Sequence, residues 1–313
     1  MPDDMDRPRI GVSSCLLGER VRYDGGHKRD SFVTDMLGQY VEWVPVCPEL
    51  EIGLGVPRDS LHLSDPGDGI HLIVTKTAQD LTARMSQFSD RKLKELAKLR
   101  LSGYVLKSKS PSCGMERVRV YRRTGVLHKA GRGVFADALL NAFPALPVEE
   151  EGRLQDARLR ENFVARVYAH HRWQMMASHG VTRARLMRFH ESHKFLLMSH
   201  SQTGARQLGA AVATGASPES YLRKFAEVMK RTPTRKNHTN VLQHLAGFLK
   251  DRLDGRDRQE LADLIDRYRR ELLPLIVPVT LLRHYVVKYS ISYLENQTYL
   301  NPHPHELMLL NHV

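Results

Sequence analysis

Short apolar runs separated by amphipathic stretches fill the first half of the chain. Runs rich in β-branched residues predict strands at residues 9–12, 41–46, 71–74 and 103–106. Their length and composition are typical of strands buried on both faces. Helical periodicity predicts a helix over 83–101, ended by Gly103, and another over 134–142, ended by Phe143-Pro144. Strands that alternate with helices indicate an α/β domain with a mainly parallel sheet.

From about residue 181 onward the pattern is helical throughout. Helices are predicted over 183–200, 218–230, 239–254, 258–273 and 280–297. In the last of these, the side chains of Leu281, Tyr285, Tyr289 and Tyr293 recur at i+4 spacing and form one apolar stripe. Such a stripe is typical of a helix packed against a core, so the second half is predicted to be all-α.

Two domains are expected, because 313 residues exceed one ordinary hydrophobic core. Residues 144–152 (PALPVEEEG) have the composition of a linker. A predicted helix over 154–177 follows, and the pattern alone allows it to close the first domain or to open the second.

The net charge of +12 is concentrated in the second half. Residues 1–170 carry 26 Lys and Arg against 23 Asp and Glu, whereas residues 171–313 carry 21 against 12 and 11 of the 16 histidines. A basic excess confined to one half favours contact with a polyanion, nucleic acid being the first candidate. The alternative is a basic domain whose charges are merely solvated.

No apolar run approaches the roughly 20 residues that span a bilayer. The longest, between Leu272 and Leu282, is interrupted by Pro274 and Pro278, and the first residues, MPDDMDRPRI, are too polar for a signal peptide. We therefore expect a cytoplasmic protein without membrane association, and we infer no obligate protein partner.

Each of the three cysteines lies where a predicted strand stops. Cys15 follows IGVSS, Cys47 follows VEWVPV, and Cys113 follows YVLKSKSPS. Because the carboxyl ends of parallel strands share one edge of a sheet, we expect these thiols to converge there. The alternative, thiols kept for packing, would more often place cysteines inside the apolar runs.

The spacing of the cysteines helps to choose among metals. Structural zinc sites commonly use paired C-x₂₋₄-C knuckles, and the chain has none. The H-x-E and P-C-x-x-C signature of zinc nucleobase deaminases is also absent from the sequence. Thiolates suit iron–sulfur clusters, and a four-iron cluster on three thiolates leaves one open iron that can bind a soft atom such as sulfur.

Three motifs give the sequence a resemblance to a known family. At VSSCLLGERVRYDGGHK, VPVCPELEIGLGVPRD and LKSKSPSCG it resembles the thiouracil desulfidases. The resemblance continues through EEGRLQDARLRENFVARV, so we place the catalytic domain at residues 1–170. The segments HESHKFLLMSHS, KRTPTRKNHTN and LLRHYVVKYSISYLENQTYLNPHP are similar to the helical domain of bacterial tRNA 4-thiouridine desulfidases. Residues 181–313 are accordingly predicted to be a tRNA-binding domain.

The resemblance implies a Rossmann-type fold and a [4Fe-4S] cluster held by Cys15, Cys47 and Cys113 with one iron open. It also implies a catalytic glutamate, here Glu49, and a serine just before the third cysteine. Ser110 is our choice for that serine.

Ser112 lies close behind Ser110 as a candidate and is assigned to substrate binding, together with Asp24 and Lys28. Four of the site candidates also have a plainer alternative. Glu49 could simply favour a helix N-terminus, and the two serines and Asp24 could be ordinary turn residues.

In the expected reaction the thiocarbonyl sulfur binds the open iron without a change of redox state. Glu49 activates a water for attack on C4 or passes its proton to the departing sulfur. Ser110 orients the water or stabilises the developing oxyanion. The products are uridine and hydrosulfide.

RNA contacts are predicted in the second half. Lys230, Arg231, Arg235 and Lys236 fall within KRTPTRKNHTN between two predicted helices, and Lys194 extends the basic strip together with neighbouring arginines. His190, His193 and His200 share the spacing of metal ligands, but no carboxylate or thiolate completes such a site.

Three other functions compete with a tRNA desulfidase. The protein could act on free thiouracil in base salvage, which needs only the cluster domain. It could be a non-catalytic iron–sulfur RNA-binding sensor, which needs no Glu49. It could insert sulfur instead, but no G-x-x-x-x-G-K-[ST] loop for ATP is present in the sequence.

Overall fold

The computed structural model describes residues 7–122 and 127–312, with the backbone alone for residues 127–130 and 312. The acidic start, MPDDMD, lies outside the described residues. The chain divides into two units, Met1–Gln155 and Asp156–Val313.

The strands of the first unit form two four-stranded sheets. They are β1 (Arg9–Ser13), β2 (Glu42–Val46), β3 (Leu61–Asp65), β4 (His71–Val74), β5 (Gly103–Leu106), β6 (Val118–Arg122), β7 (Leu127–Gly131) and β8 (Val148–Glu150). The first sheet has the order β2-β1-β5-β8 and is parallel throughout. The second has the order β4-β3-β6-β7, and within it only β3 and β6 run parallel.

Helices flank the strands of the first unit and make up most of the second. They are α1 (Pro48–Glu51), α2 (Thr82–Lys98), α3 (Val134–Ala142), α4 (Ala157–Ser178), α5 (Arg183–His200), α6 (Gln202–Ala213), α7 (Pro218–Met229), α8 (Arg235–Leu249), α9 (Gly255–Arg269), α10 (Ile276–Lys288) and α11 (Ser292–Glu295). The predicted fold class is confirmed: a parallel sheet with helices precedes a mostly helical second half.

The four predicted strands are all present, but two interpretations of the first unit were wrong. The run at residues 71–74 forms β4, which pairs antiparallel with β3 in the second sheet rather than in the parallel one. Residues 144–152 are not a linker, because they contain β8, which pairs with β5. A three-residue strand is too short for periodicity to reveal. The carboxylates of Glu149 and Glu150 in this strand are buried. Hydrogen bonds from Arg153 and from the Met115 amide stabilise them there.

The helices of the second unit agree with the prediction more closely at their centres than at their ends. α5 has the predicted bounds, but α6 is rich in Gly and Ala and was missed. α8 starts at Arg235, four residues before the predicted start, because the Thr234 side chain accepts the Asn237 N–H. The predicted helix over 280–297 is two helices, interrupted where Ser290 has a φ of +48°.

The helix predicted over 154–177 is α4, and it belongs to the second unit. The unit boundary thus falls at Gln155–Asp156 rather than near residue 170. The cause is packing, because Trp173 stacks on Tyr221 with ring centroids 5.7 Å apart and joins the helical core. None of the described helices is long and apolar enough to cross a membrane.

Candidate active site

The three cysteines lie at one edge of the parallel sheet. Cys15 follows β1 in a short turn, Cys47 caps α1 directly after β2, and Cys113 lies in the loop after β5. All three line a single cavity of about 440 Å³ and none is disulfide-bonded. The convergence expected from the sheet edge is therefore present.

Burial holds these thiols in the protonated form. It raises the pKa of Cys15 to about 12, although Lys107 opposes the shift, and it also raises the pKa of Cys47. The pKa of Cys113 lies well above its usual value for the same reason. A metal that binds these sulfurs would have to displace their protons, so its binding would release acid.

Within residues 7–122 and 127–312, no three His, Cys, Asp or Glu side chains lie close enough to hold one metal ion. Ligands of a single zinc ion lie within about 4.6 Å of one another, because each sulfur is about 2.3 Å from the metal. A four-iron cluster differs, since each of its cysteines binds a different iron.

Glu49 lies in the first turn of α1, beside the cysteines, and both of its carboxylate oxygens have partners. Arg58 donates to Oε2 from Nε at 3.1 Å and from Nη2 at 2.6 Å. The Ser112 hydroxyl donates to Oε1 at 2.9 Å. The Glu49 side chain is 16% exposed, so it meets the cavity while being fixed from two sides.

Ser110 and Ser112 occupy different positions in the loop before Cys113. Ser110 lines the cavity, and its Oγ accepts the backbone N–H groups of Ser112 and Cys113 at 3.2 and 3.1 Å. Ser112 is buried beneath Glu49. The Ser110 hydroxyl can therefore donate a hydrogen bond into the cavity, whereas the Ser112 hydroxyl already donates to the Glu49 carboxylate.

The loop that carries these serines is held against the start of α3. The N–H groups of Val134 and Ala136 donate to the carbonyls of Pro111 and Ser112 at 3.1 Å each. A Cβ at Gly133 would lie 2.4 Å from the carbonyl carbon of Ser112. Only glycine allows this approach, so Gly133 determines how closely the loop packs against the start of α3.

The other two predicted substrate residues lie on the loop after Cys15. Lys28 lines the cavity, and its N–H donates to the Cys15 carbonyl at 2.9 Å. Asp24 does not line the cavity. Its carboxylate accepts the Gly26 N–H at 3.0 Å and pairs with Arg22, which lowers its pKa. Asp24 therefore has the contacts of a turn residue here.

Sequence reasoning missed several cations that line this cavity, among them Arg58 and Lys107. Arg58, besides binding Glu49, donates from Nη1 to the carbonyls of Val21 and Gly55 at 2.9 Å each. Lys107 lines the cavity and pairs with Glu151, which also accepts the Ser108 N–H at 2.7 Å. The available signal was an arginine in the Gly- and Pro-rich segment after CPE and a lysine directly after β5.

The predicted RNA-binding residues divide into two groups. Lys194, Lys230, Arg231 and Lys236 are exposed, and Arg231 donates to the Ser201 hydroxyl at 3.2 Å. Arg235 is half-buried and donates to the Tyr268 carbonyl at 2.8 Å, with its guanidinium 4.5 Å from the centre of that ring. Its contacts are those of a residue that joins α8 to α9.

The three histidines with metal-ligand spacing have internal partners. The Nδ1 atoms of His190, His193 and His200 bind the Tyr221 hydroxyl, the Phe189 carbonyl and the Arg231 carbonyl. Burial lowers the pKa of His193 to about 3 and of His200 to about 4. They are neutral core residues. Downstream, His303 is also buried, with Nε2 3.7 Å from a carboxylate oxygen of Glu161.

Comparisons with known proteins agree with the division of the chain. A family model described as 2-thiouracil desulfurase matches residues 10–151, and one described as a protein of unknown function (DUF1722) matches residues 194–304. The uncharacterized protein YbgA of Escherichia coli (strain K12) is 31% identical over 159 residues, which cover 49% of this chain and 94% of that protein. The uncharacterized protein YbbK of Bacillus subtilis (strain 168) is 32% identical over 110 residues, covering 34% and 72%.

A solved structure described as the [4Fe-4S]-dependent thiouracil desulfidase TudS is 34% identical, with 48% of this chain and 94% of that chain covered at a TM-score of 0.39. The chain belongs to the 2-thiouracil desulfurase family, and its second unit carries a DUF1722 module.

Proposed function

We propose that this protein is a [4Fe-4S]-dependent desulfidase that removes sulfur from 4-thiouridine in tRNA. One observation carries the proposal: three free thiols and the fixed carboxylate of Glu49 line the same cavity. Water replaces sulfur at C4, so a C=S bond becomes C=O and hydrosulfide leaves, with no net oxidation or reduction.

The donor set fits an iron–sulfur cluster. Cys15, Cys47 and Cys113 supply soft sulfur ligands from three separate loops, and their cavity has room for more than a single ion. Lys107 and Arg22 interact electrostatically with Cys15, and Arg58 does so with Cys47. These cations reduce the cost of burying thiolates.

When bound by these thiolates, the cluster would supply a Lewis-acidic iron for the thiocarbonyl sulfur. The chain's own residues would handle water and protons. Glu49 has its Oε2 held by Arg58 and its Oε1 held by Ser112, so its position is set before substrate arrives. It takes the proton of the attacking water or passes it to the departing sulfur.

The contacts of Ser110 support the role that we propose for it. Its oxygen is already occupied by two backbone N–H donors, which leaves its O–H free to donate towards the cavity. A donor fixed in this way can orient the water or stabilise an oxyanion at C4. Lys28, which also lines the cavity, would neutralise a phosphate or the departing hydrosulfide.

The second unit supports an RNA substrate through its charge. It carries 24 Lys and Arg against 14 Asp and Glu. Lys194, Lys230, Arg231 and Lys236 are exposed on it and would contact phosphates. The target nucleotide would have to leave its stack to reach the cysteine cavity, and recognition would rest on tRNA shape and phosphates.

A specific observation keeps free thiouracil as the second candidate substrate. Every described residue that lines the cysteine cavity belongs to the first unit. The chemistry could therefore proceed on a free base without the basic helices.

The deciding experiment is anaerobic reconstitution of the full chain, followed by incubation with 4-thiouridine-containing tRNA and with free 4-thiouracil. Loss of the thiocarbonyl absorbance and release of sulfide are followed for each substrate. A higher kcat/KM on the tRNA supports the proposal. Equal or better turnover of the free base assigns the protein to base salvage. A loaded protein that acts on neither and still binds RNA would be a sensor.

A further inference from the structure

A second cavity, of about 670 Å³, lies within the second unit. Its walls come from the end of α4, from α5 and from the segment around α11. This volume is typical of small-molecule sites, which span about 300–1,000 Å³. The lining residues are Met176, His179, Arg185, Arg188, Phe189, Glu191, Ser192, Ser292, Tyr293, Asn296 and Gln297.

Hydrogen bonds hold the walls of this cavity together. Arg185 donates to the carbonyls of His179 and Gly180, which joins α5 to the end of α4. Thr298 donates to the Ser192 carbonyl from its N–H at 2.9 Å and its hydroxyl at 3.0 Å, which joins the α11 segment to α5. A site built on joined helices is preorganised, so a ligand would lose little affinity to ordering.

Two charged side chains of the cavity are available to bind a ligand. Arg188 and Glu191 are exposed, and neither forms an ion pair in the part of the chain that the structure describes. His179 is exposed too, with Nδ1 3.0 Å from the Met175 carbonyl. Two arginines and a histidine against one glutamate favour an anionic group such as a phosphate.

The cavity also has an aromatic wall. The Tyr293 ring stacks on Phe248 with centroids 5.3 Å apart and meets the edge of Phe195 at 6.4 Å. These contacts fix a ring that lines the cavity, and a fixed aromatic ring is a platform for a nucleobase.

Gln297 adds a polar group without a complete set of partners. Its Nε2 donates to the carbonyls of Glu191 and Tyr293, which identifies the other amide atom as the oxygen. That oxygen is buried and has no partner among the described residues. A buried acceptor of this kind destabilises the free protein, and a ligand that brings an N–H or a water would satisfy it.

We infer that this cavity binds a ribonucleotide: the phosphate at Arg188 and His179, the base against Tyr293, and a ribose hydroxyl on the Glu191 carboxylate. The inference deepens the proposed function, because an RNA substrate would supply such a nucleotide in addition to the reacting one. The same chemistry is offered by a free nucleotide.

The test uses the full-length, cluster-loaded chain. Binding of tritiated UMP is measured by equilibrium dialysis, and a labelled single-stranded RNA without thiolated bases is titrated at several salt concentrations. We expect UMP to bind, to displace the RNA, and to bind more tightly than dUMP, uridine or inorganic phosphate. Arg188→Ala should lower the salt slope of binding to this single-stranded RNA by about 0.7. Arg206→Ala removes an exposed arginine that does not line the cavity and should leave the slope unchanged.

Each outcome decides the inference. If UMP binds but RNA fails to displace it, the cavity is still a ribonucleotide site and its ligand is a free nucleotide. No UMP binding at millimolar concentration, or equal effects of the two arginine substitutions, overturns it. Turnover of free 4-thiouracil should be the same in Arg188→Ala and the parent. If neither the parent nor Arg188→Ala turns over thiouracil, the proposed function fails. The UMP and RNA binding data still test whether this cavity binds a nucleotide.

Discussion

Arg58 donates two hydrogen bonds to a single oxygen of Glu49, from Nε at 3.1 Å and from Nη2 at 2.6 Å. The arginine side chain is only 6% exposed, so the pair is shielded from solvent. The Oε1 atom of Glu49 accepts a hydrogen bond from the Ser112 hydroxyl, which leaves the carboxylate little freedom to rotate. The reactivity of the cavity therefore depends on residues other than the three cysteines.

Glu49→Gln keeps the size of the side chain and removes the base. We expect it to lower kcat by about 10²- to 10⁴-fold, the range typical of a lost general acid–base group. Iron and sulfide content should be unchanged, because Glu49 is not among the thiol ligands. Turnover is measured by thiocarbonyl absorbance beside an iron assay. Full activity in a cluster-loaded variant would remove Glu49 from the mechanism.

Arg58→Lys and Arg58→Ala test the positioning of Glu49. Lysine keeps the charge but cannot reproduce the two-pronged contact with Oε2, so we expect a partial loss of kcat with KM less affected. Alanine leaves Glu49 without its ion-pair partner and should also lower the unfolding free energy by about 3–5 kcal/mol. Stopped assays and chemical unfolding measure the two effects. Equal kcat in the parent and both variants would show that Glu49 needs no positioning.

Cys113→Ser tests the cluster site directly. The parent should take up about four irons and four sulfides per chain under anaerobic reconstitution, and the variant should take up far less. Ser60→Ala, which also lines the cavity but offers no thiol, serves as the control. Iron and sulfide are quantified chemically with the visible absorbance. Parent-like loading of the Cys113 variant would rule out this set of ligands.

Lys236→Ala tests phosphate contact by the second unit. If Lys236 neutralises one phosphate, its loss should reduce the slope of log K against log salt for tRNA by about 0.7–0.9. Turnover of free 4-thiouracil should not change, because the cysteine cavity lies in the other unit. Lys224→Ala removes an exposed lysine outside the predicted strip. A matching loss in both variants would indicate diffuse attraction rather than a contact at Lys236.

The cysteine convergence could be predicted because parallel strands share an edge, and each cysteine directly follows a strand or its loop. The contact between Arg58 and Glu49 could not, since it joins α1 to the irregular segment nine residues later and leaves no periodic signal. The choice between Ser110 and Ser112 depends on the conformation of one loop. That conformation is fixed by Gly133 on a distant helix start. Likewise, β8 was hidden because Pro-rich flanks suggested a linker.

The buried histidines of the second unit should make its stability depend on pH. Burial lowers the pKa of His193 to about 3 and that of His200 and His238 to about 4, from a usual value of 6.5. Above pH 6.5 these rings are neutral in both the folded and the unfolded chain. As the pH falls from 6.5 towards 4, the unfolded chain binds protons that the folded chain excludes. The unfolding free energy should therefore fall by up to about 1.4 kcal/mol per pH unit for each histidine.

Chemical unfolding at pH 7.5, 6.5, 5.5 and 5.0 measures this slope. Trp173 is the natural probe because it packs in the helical core, and Trp43→Phe removes the only other tryptophan signal. His238→Gln should lessen the dependence on pH, whereas His244→Gln replaces an exposed ring and should leave it unchanged. A flat profile between pH 6.5 and 5.0 would mean that the buried rings take up protons without loss of packing, which their surroundings of aromatic side chains and backbone carbonyls oppose.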